Sequence, residues 1–466
     1  MFGKKNILYG DKTVGLTESI YVLAAWWVKI VEEVFAKYES LGRPILDVVH
    51  LIFKGTFNFF LIITVCASAL FLCLTIYVLI NRKKEKEIIT NYTPKITVQI
   101  PTYNELVALR CAEHCLNFDY PKDKYEIFIG DDSNNPEVSA KIAEFADRHD
   151  LVKVYKREKN MGFKPGNLNN LLNYTNGEFI VIFDSDFIPP KDFLKRIVQP
   201  FAQDEKIAAV QAKWTFINQN QNLISILAST ILNVYHYITL PFIKSIHQRS
   251  FLCGSAEAVR KSTLVKLGGW DSGNLTEDIE YSIRMLNNGY KAVYLPELRC
   301  DSEVPFLAKD LYKQQMRWAY GVIFSLKKHF KEIIFTRNAT FLDKACIGIV
   351  VGGYFLATAL AGLFTFGFLS LITHPPAPVE WGLFFYELFR NILMTSGLLI
   401  SSVVAMIQSE NTKKIAPMIA SSFSYGIITT YYVNKGIFKA IIGRPMTWFM
   451  LNKKGNETLS EQIIGD

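Results

Sequence analysis

The stretch that decides the fold is Glu178-Phe-Ile-Val-Ile-Phe183, followed directly by Asp184-Ser185-Asp186. After its first glutamate this is a short uncharged run of branched and aromatic residues, which is typical of a strand buried on both faces of a sheet. Two carboxylates then follow at positions i and i+2, and they repel one another unless a cation lies between or beside them. Because Mg²⁺ usually takes one or two carboxylates plus phosphate oxygens, Asp184 and Asp186 predict a divalent-ion site beside a diphosphate. A solvated turn is the alternative interpretation.

Similar short runs lie on either side of this strand, and they alternate with segments of helical periodicity. The predicted strands are Ile96–Ile100, Tyr125–Ile129 and Ile207–Gln211, and the predicted helices are Leu106–Leu116 and Val138–Arg148. This alternation predicts an α/β domain built on a parallel sheet with helices on both faces. In such sheets ligands bind beyond the carboxyl ends of the strands, so candidate site residues should follow each strand.

Polar motifs do follow the first two strands: PTYNE at 101–105 and DDS at 131–133. Each motif alone could be a capped turn. At the ends of neighbouring strands they predict a crevice for a nucleotide base, on which Tyr103 can stack and to which Asp132 offers an acceptor for an imide N–H. The predicted nucleotide-binding residues here are Thr102, Tyr103, Asn104, Glu105 and Asp132.

A lysine motif, KPGN at 164–167, lies between DDS and the acidic pair. A lysine beside glycine at the start of a helix places positive charge and backbone N–H groups against a phosphate. Lys164 is therefore a candidate phosphate contact. An ordinary loop lysine is the alternative.

A second acidic motif, TED at 276–278, opens a helix predicted over Ile279–Leu286. Carboxylates in the first turn of a helix are stabilised by its dipole, so capping alone explains Glu277 or Asp278. In the functional interpretation Asp278 is a general base that takes the proton of an attacking hydroxyl group. A leaving diphosphate would then be neutralised by the divalent ion and by basic residues.

The motif QQMRW at 314–318 lies on a basic amphipathic segment from about residue 306 to residue 330. On a helix Gln314, Arg317 and Trp318 stand at i, i+3 and i+4, and hence on one face. A tryptophan ring is an apolar platform for a sugar, and an arginine can pair with a diphosphate. A helix anchored at a membrane interface by Trp and Arg is the alternative.

Apolar runs dominate the remaining chain. Half of the 466 residues are hydrophobic, and the net charge is +8, with basic residues clustered beside the apolar runs. That placement suits anionic lipid headgroups rather than nucleic acid. Four runs approach or exceed the length of a helical membrane span: Phe57–Ile80, Ala345–Ile372, Leu388–Ile407 and Ile415–Val433. Leu16–Tyr38 carries charges at helical spacing and predicts an amphipathic helix in the interface, with a poor first span as the alternative.

Charge also predicts the orientation. Arg82, Lys83 and Lys84 directly follow the first run, so the polar domain should be cytoplasmic in a multi-pass protein of the cell membrane. Three later spans would put Lys435 and Lys439 on the other side, against the same rule, unless one run is re-entrant or interfacial. The predicted domains are an interfacial region 1–55, a first span 56–81, the polar domain 90–304, interfacial helices 305–340, about three spans in 341–442 and a tail 443–466.

Taken in order, seven motifs resemble the processive family 2 glycosyltransferases, the group that contains the cellulose, mannan, chitin and hyaluronan synthases. The resemblance covers roughly residues 94–330 and rests on PTYNE, DDS, KPGN, DSD, FLCGS at 251–255, TED and QQMRW. Its most specific element is Gln314-x-x-Arg317-Trp318, which begins 36 residues after Asp278. The resemblance implies a GT-A type nucleotide-sugar-binding domain inserted between transmembrane helices.

The same resemblance implies transfer of sugar from a nucleotide sugar, by family frequency a UDP-sugar, to a growing β-linked polysaccharide that leaves through the transmembrane region. Direct displacement needs only one base, so inversion at the anomeric carbon is expected, with Mg²⁺ or Mn²⁺ as cofactor. By this resemblance Tyr103 and Asp132 look like the uracil contacts, and Lys164 looks like a diphosphate contact. Asp184 and Asp186 look like the donor and metal pair, and Asp278 looks like the catalytic base. Gln314, Arg317 and Trp318 look like the segment that holds the diphosphate and the terminal sugar. The acceptor pocket that the resemblance implies consists of Trp318 together with Cys253, Gly254, Ser255 and Glu277.

The sequence departs from that family at two places. Phe187 follows the acidic pair where cellulose synthases have histidine, and the region 444–455 is similar to the gating loop but lacks its usual Thr-Pro. The first departure leaves a third protein ligand for the metal open. The second leaves gating by this region open.

Two other functions stay open. A non-processive transferase would add one sugar to a polyprenyl phosphate, and QxxRW, which such enzymes usually lack, is the feature against it. A non-catalytic channel or scaffold with a degenerate domain would be expected to lose its acidic site residues first, but Asp184, Asp186 and Asp278 are all present. The predicted partners are a nucleotide-sugar donor, a polysaccharide acceptor and a lipid bilayer, with no nucleic acid. The donor sugar, the linkage and the oligomeric state stay open.

Overall fold

The computed structural model describes residues 13–81, 90–247, 249–373, 380–453 and 455. Packing divides the chain into two compact units. Of the described residues, one unit comprises those up to Ile62 together with those within Gly362–Phe384, and the other comprises those within Ile63–Ala361 together with those from Phe385 onward. The polar domain and all seven motifs belong to the second unit.

The second unit is built around a seven-stranded sheet. In chain order its strands are β1 Ile96–Thr102, β2 Tyr125–Asp131, β3 Val152–Lys156, β4 Phe179–Ile182, β5 Ile207–Phe216, β6 Glu257–Arg260 and β7 Lys291–Ser302. Across the sheet they lie in the order β3-β2-β1-β4-β6-β5-β7. Strands β1 to β4 run parallel to one another, and β5 is parallel to β7, whereas β6 is antiparallel to both β4 and β5.

The four predicted strands are confirmed as β1, β2, β4 and β5, but the prediction of a purely parallel sheet is wrong because β6 runs the other way. Every residue of β1 and β4 is buried, which explains their continuous apolar pattern. β3 alternates lysine with apolar residues at the edge of the sheet, and β6 is only four residues long. Neither carries the apolar run that marks a central strand.

The helices of the described chain are α1 Thr13–Ile80, α2 Val107–Leu116, α3 Pro136–Asp147, α4 Phe163–Leu172, α5 Phe193–Ile197, α6 Leu223–Val234, α7 Leu240–His247, α8 Lys261–Lys266, α9 Glu277–Asn287, α10 Ala308–Phe335, α11 Phe341–Thr373, α12 Trp381–Thr395, α13 Gly397–Gln408 and α14 Ile415–Ile441. The three predicted helices of the polar domain are confirmed as α2, α3 and α9. KPGN lies in the first turn of α4, and QQMRW lies on α10.

Helices cover both faces of the sheet, as predicted. Successive residues of β4 point to opposite faces: Phe179 and Val181 join the core under α2 and α5, while Ile180 and Ile182 join the core under α4, α8 and α9. In the register of β1 with β2, Thr102 lies opposite Asp131. The carboxyl ends of the parallel strands therefore open at one edge, where the motifs meet.

Among the described residues, three segments are long and apolar enough to cross a membrane: Ile45–Ile80, Leu223–Ile246 and Phe341–Thr373. The number rises to four if α12 and α13, which meet at a bend of 54°, form one broken span. Three of the four predicted runs lie within these segments. A bend of this kind belongs either to a broken span or to a re-entrant segment.

The fourth predicted run, Ile415–Val433, is helical as part of α14 but does not qualify as a span, because serine, threonine and tyrosine lower its hydropathy. Conversely, Leu223–Ile246 qualifies although it was not among the predicted runs. Its most apolar window is 78 % buried inside the protein, and its two ends lead to β5 and β6, which pair with each other. This segment therefore lies along the polar domain rather than across a membrane.

The N-terminal helix α1 is a single helix of 68 residues, so the predicted boundary at residue 55 falls inside it. Trp26 and Trp27 on this helix are exposed, in keeping with the predicted interfacial segment. The basic residues at 82–84 that predict the orientation lie outside the described residues, as do 1–12 and 456–466 of the predicted terminal regions.

Two glycines bring α10 close to its neighbours. A Cβ on Gly436 of α14 would lie 2.3 Å from the carbonyl oxygen of Met316 on α10. A Cβ on Gly321 of α10 would lie 2.5 Å from Oγ1 of Thr276, the residue before α9. Because no larger residue fits at either crossing, α10 presents QQMRW directly beside the acids that begin α9.

Candidate active site

One cleft at the carboxyl edge of the sheet brings together nearly all of the predicted site residues. Its walls include Thr102, Tyr103, Glu105, Asp132, Lys164, Asp184, Asp186, Cys253, Gly254, Glu277, Asp278, Gln314, Arg317 and Trp318. Asn104 is not part of the wall: its Oδ1 accepts the N–H groups of Asn134 and Asn135 and so ties the two turns together. Ser255 is buried behind the wall, where its Oγ accepts the N–H of Asp184 at 2.8 Å.

The two carboxylates of the DSD motif each face a lysine. Nζ of Lys164 lies 2.8 Å from Oδ1 of Asp184 and 3.2 Å from Oε1 of Glu277. Nζ of Lys453 lies 2.6 Å from Oδ1 of Asp186 and 3.3 Å from Oε1 of Glu105. Burial opposes the charge on both lysines, but the neighbouring carboxylates raise the pKa of each above its usual value. The negative charge at this edge therefore already attracts cations.

This donor set fits a divalent ion that is completed by its substrate. Mg²⁺ and similar ions commonly take one or two carboxylates, and phosphate oxygens and water supply the rest. Among the described residues, no cluster of three or more His, Cys, Asp and Glu side chains could hold a metal ion. Phe187, at the position of the missing histidine, is buried and packs edge-on against Trp214 with ring centroids 5.2 Å apart. Asp184 and Asp186 would therefore be the predicted protein ligands, and the substrate would complete the coordination.

The candidate base Asp278 lies in the first turn of α9. Burial raises the pKa of its carboxyl, and the charge of Glu277 raises it further, while Lys164 acts in the opposite direction; the result is a pKa of about 7. A carboxylate that titrates near neutrality is well matched to general-base chemistry. Gly254 leaves room in front of it, since a Cβ there would lie 3.5 Å from Oδ2 of Asp278.

The QxxRW residues leave polar atoms without protein partners. Among the described residues, neither Oε1 of Gln314 nor Nε of Arg317 has a hydrogen-bond partner, although both atoms are buried. Nη1 of Arg317 donates to the carbonyl oxygen of Leu275 at 3.3 Å. Burial lowers the pKa of this arginine, and the charges of Glu277 and nearby aspartates oppose that effect. Buried polar groups are normally satisfied, so these atoms indicate a bound anionic or polar ligand.

Asp132 is held by an arginine that the motifs do not include. Nε of Arg157 donates to Oδ1 of Asp132 at 2.8 Å, and Nη2 of the same arginine contacts Oδ2. Tyr103, the predicted base platform, packs edge-on against Trp448 with ring centroids 5.6 Å apart. The two predicted base contacts are thus in the cleft, but each already has a protein neighbour. Arg157 follows the edge strand β3, which carried no signal of its own in the sequence.

Residues 444–453, here called the C-terminal segment, form one side of the cleft. Trp448, Phe449, Leu451, Asn452 and Lys453 line it. The segment is fastened on α10, where Asp310 accepts hydrogen bonds from the backbone N–H and side chain of Asn452 at 3.0 and 2.8 Å. The sequence places this region near a gating loop by resemblance, but it does not predict Lys453 as a partner of Asp186. The signal available in the sequence was the run of aromatic residues in this segment, followed by Lys453.

A buried ionic cluster supports α9 from behind. Glu280 of α9 is 1 % exposed and accepts hydrogen bonds from the Arg284 guanidinium at 2.8 and 2.9 Å. Nε2 of His329, on α10, lies 2.8 Å from Oε1 of Glu280, and its Nδ1 lies 2.8 Å from Oε2 of Glu332. This cluster ties α9, which carries the candidate base, to the helix that carries QQMRW.

The sequence of this region matches a known family. Residues 94–321 match the model described as glycosyltransferase-like family 2. These residues, just under half of the chain, therefore form a domain of the glycosyltransferase-like family 2. The predicted family and enzyme class are confirmed.

Several curated plant proteins are similar over most of the chain. Probable glucomannan 4-beta-mannosyltransferase 6 of Oryza sativa subsp. japonica is 28 % identical over 393 residues, which cover 80 % of this chain and 65 % of that protein. Glucomannan 4-beta-mannosyltransferase 2 of Arabidopsis thaliana is 25 % identical over 392 residues, covering 80 % of this chain and 70 % of that protein. The chain thus spans about two thirds of the length of these relatives.

Among solved structures, a mannosyltransferase from Pyrobaculum calidifontis, in complex with GDP-Man and Mn²⁺, matches with a TM-score of 0.59 at 18 % identity. The match covers 86 % of this chain and 99 % of that one. At this identity the likeness concerns the fold alone. It confirms the predicted GT-A type fold.

Proposed function

We propose that this chain is a membrane-embedded, inverting and processive hexosyltransferase, which moves sugar from a nucleoside diphosphate sugar to the growing end of a β-linked polysaccharide. The observation that carries the proposal is the convergence of a candidate base, Asp278, with the acidic pair and with Lys164 and Arg317 in one cleft. A base on one side and cationic groups for a leaving diphosphate on the other are what direct displacement requires.

The residues divide the reaction between them. Asp278, when ionised, takes the proton of the acceptor hydroxyl as that oxygen attacks the anomeric carbon. Lys164 and Arg317 stabilise the charge that develops on the departing diphosphate, and Trp318 supports the terminal sugar. Asp184 and Asp186 would hold a divalent cation, which when bound supplies further positive charge to the diphosphate. Because a single carboxylate suffices, we infer inversion of the anomeric configuration.

The donor is inferred from chemistry and from the relatives together. The cleft supplies contacts for a base and for a diphosphate, and the relatives are named as mannosyltransferases. The structural neighbour was solved with GDP-Man and Mn²⁺. We therefore infer a mannosyl donor, GDP-mannose, as the first to test, beside the UDP-sugars that the sequence resemblance favours. Either Mn²⁺ or Mg²⁺ is the proposed cofactor.

We infer a multi-pass arrangement in the cell membrane with the transferase domain on the cytoplasmic side. Lys453, in the C-terminal segment, contacts Asp186 of the domain, so both lie on one side of the membrane. The chain between them then crosses an even number of times. Two crossings, α11 and the bent pair α12–α13, meet this condition. The polymer would leave through this helical region.

The deciding experiment offers labelled GDP-mannose, UDP-glucose and UDP-N-acetylglucosamine to the purified protein with Mn²⁺ or Mg²⁺. We expect one donor to give a ladder of products that a linkage-specific hydrolase digests. Asp278→Asn should abolish transfer and leave donor binding intact. If the protein instead adds a single sugar to a polyprenyl phosphate, it is a non-processive transferase with a lipid acceptor. Donor binding without transfer in the wild type would favour a non-catalytic scaffold.

A further inference from the structure

Glu257 is a buried acid that belongs to none of the seven motifs. It begins the short strand β6, is 1 % exposed, and lies between Ile182 of β4 and Gln211 of β5 in the sheet register. A carboxyl group in such a position loses its hydration and needs compensating contacts. The nearby cation Lys164 makes its ion pairs with Asp184 and Glu277. Glu257 therefore needs an explanation of its own.

Its hydrogen bonds go to the backbone of the FLCGS motif. Oε2 of Glu257 accepts the N–H of Gly254 at 2.9 Å, and at 3.3 Å it shares the N–H of Cys253 with Oε1 of Gln211, which accepts it at 2.7 Å. The chain here is left-handed at Gly254, with φ of +86°, and again at Ala256, with φ of +48°. A non-glycine residue in this region is unfavourable unless its surroundings hold it there. The carboxyl of Glu257 supplies such a restraint from beneath the turn.

The backbone turn at Cys253–Ser255 lies against Lys164 and Asp278 in the cleft. The carbonyl oxygen of Gly254 accepts a hydrogen bond from Nζ of Lys164. A Cβ on Gly254 would lie 3.4 Å from the same nitrogen and 3.5 Å from Oδ2 of Asp278. One residue further on, Oγ of Ser255 holds the N–H of Asp184. A shift of the turn would therefore move the acceptor side of the cleft relative to the base and the phosphate contact.

We propose that Glu257 is a positioning residue for the transfer reaction, which fixes the Cys253–Ser255 turn against Lys164 and Asp278 through the backbone N–H groups of Cys253 and Gly254. This inference rests on the proposed function and deepens it. Glu257 itself does not line the cleft, so it acts through the turn and touches no substrate.

The charges around Glu257 favour its neutral form. Burial raises the pKa of its carboxyl, the charge of Asp278 raises it further, and Lys164 opposes both, which brings the pKa to about 8. The ionisable groups that face it are Asp278, Glu277 and Tyr281 from α9, Lys164 from α4 and Cys253 in the turn. Asp278, with a pKa of about 7, ionises first. At pH 7 a carboxyl with a pKa of about 7 is half ionised, so the proposed base is available while a larger share of Glu257 keeps its proton.

Two variants separate the hydrogen bond from the charge. Glu257→Gln keeps an acceptor oxygen but cannot ionise. It should therefore retain transfer at pH 7 and lose the fall in activity above pH 8 that we expect of the wild type as Glu257 ionises. Glu257→Ala removes the acceptor and should lower kcat/KM for the acceptor polymer by about tenfold or more, since about 1.4 kcal/mol of lost positioning suffices. Donor binding should change little in either variant. Glu126→Gln, the same change on β2 where Glu126 bonds Thr97, should change none of these values.

A measurement of heat stability tests the same residue without catalysis. The folded-state pKa of Glu257 lies above the unfolded value of about 4.3, so its contribution to stability is full below that value and is lost as pH rises through about 8. Glu257→Gln should therefore gain stability relative to the wild type between pH 5 and pH 9.

The outcomes are distinct. Equal losses in Glu257→Gln and Glu257→Ala with an unchanged pH profile would make the residue a structural one and overturn the proposal. A loss of donor binding in Glu257→Gln would overturn it as well. A wild type that transfers no sugar from any donor would instead remove the proposed function, and the role assigned to Glu257 with it, even if the stability profile behaves as expected.

Discussion

Replacement of Lys453 by methionine should raise the affinity of the nucleotide-free protein for Mn²⁺. The ammonium of Lys453 lies 2.6 Å from Oδ1 of Asp186 and 3.3 Å from Oε1 of Glu105. The side chains of Lys453 and Asp186 are 15 % and 8 % exposed, so solvent ions screen the pair only weakly. A cation that binds Asp186 has to displace this ammonium. Methionine has a similar length and no charge.

The size of the effect follows from the contact that is removed. A hydrogen bond to a charged group contributes about 1.5–3 kcal/mol. Because about 1.4 kcal/mol corresponds to a factor of ten in an equilibrium constant, Lys453→Met should tighten Mn²⁺ binding by about 10- to 100-fold. Asp186→Asn should weaken Mn²⁺ binding both in the wild type and in Lys453→Met.

The assay is a titration of purified protein with Mn²⁺ in the absence of nucleotide, with the free ion followed by electron paramagnetic resonance. Lys327→Met is the matched control, because Lys327 donates to the carbonyl oxygen of Ile441 at 2.8 Å rather than to a carboxylate. An unchanged affinity in Lys453→Met would refute the reasoning, and so would an equal gain in the control.

Three further predictions concern the base, the turn and the cluster behind α9. Transfer should rise with pH through about 7, because the proposed base Asp278 can take a proton only when ionised and burial raises its pKa to about 7. A pH–rate profile centred near the ordinary value of about 4 would contradict this. Gly254→Ala should cost about 1–2 kcal/mol of stability and lower transfer, because φ is +86° and the new Cβ would approach Asp278. Gly268→Ala is the matched control, because φ is +94° there and the new Cβ would have no atom within 4 Å. This variant should be less stable to denaturant and keep its transfer activity. Burial lowers the pKa of His329, but the hydrogen bonds of its ring to Glu280 raise this pKa overall. The ion pair between His329 and Glu280 therefore contributes its full stabilisation below about pH 6.5 and loses it as pH rises through the raised pKa. His329→Gln should therefore lower the melting temperature more at pH 6 than at pH 9, and equal losses would exclude this account.

Local patterns in the sequence predict the centre of the fold well. The apolar run before Asp184 and the helix beginning at Glu277 are both found where predicted, because burial on two faces and helix capping act on neighbouring residues. The expected cleft follows from the parallel strands β1, β2 and β4, whose carboxyl ends share one edge. Mixed topology was missed because the direction of a short strand such as β6 leaves no trace in its own residues.

Pairings between distant residues could not be predicted. Lys453 meets Asp186 across 267 positions and Arg157 meets Asp132 across 25, and no local periodicity encodes either contact. Glu257 resembles any strand-end acid until the turn above it is seen. The same limit applies to Leu223–Ile246, whose composition matches a membrane span although its connections hold it along the domain.

The glycine crossing between α10 and α14 limits where the cleft can open. Because Gly436 packs directly on the backbone at Met316, the two helices cannot slide apart without losing that fit. Trp318 on α10 and the start of the C-terminal segment thus keep a fixed spacing. If a donor enters past Lys453, we expect the short peptide after α14, which begins near Gly443 with a φ of +72°, to move and admit it. We expect α10 and α14 to keep their positions when a nucleotide binds.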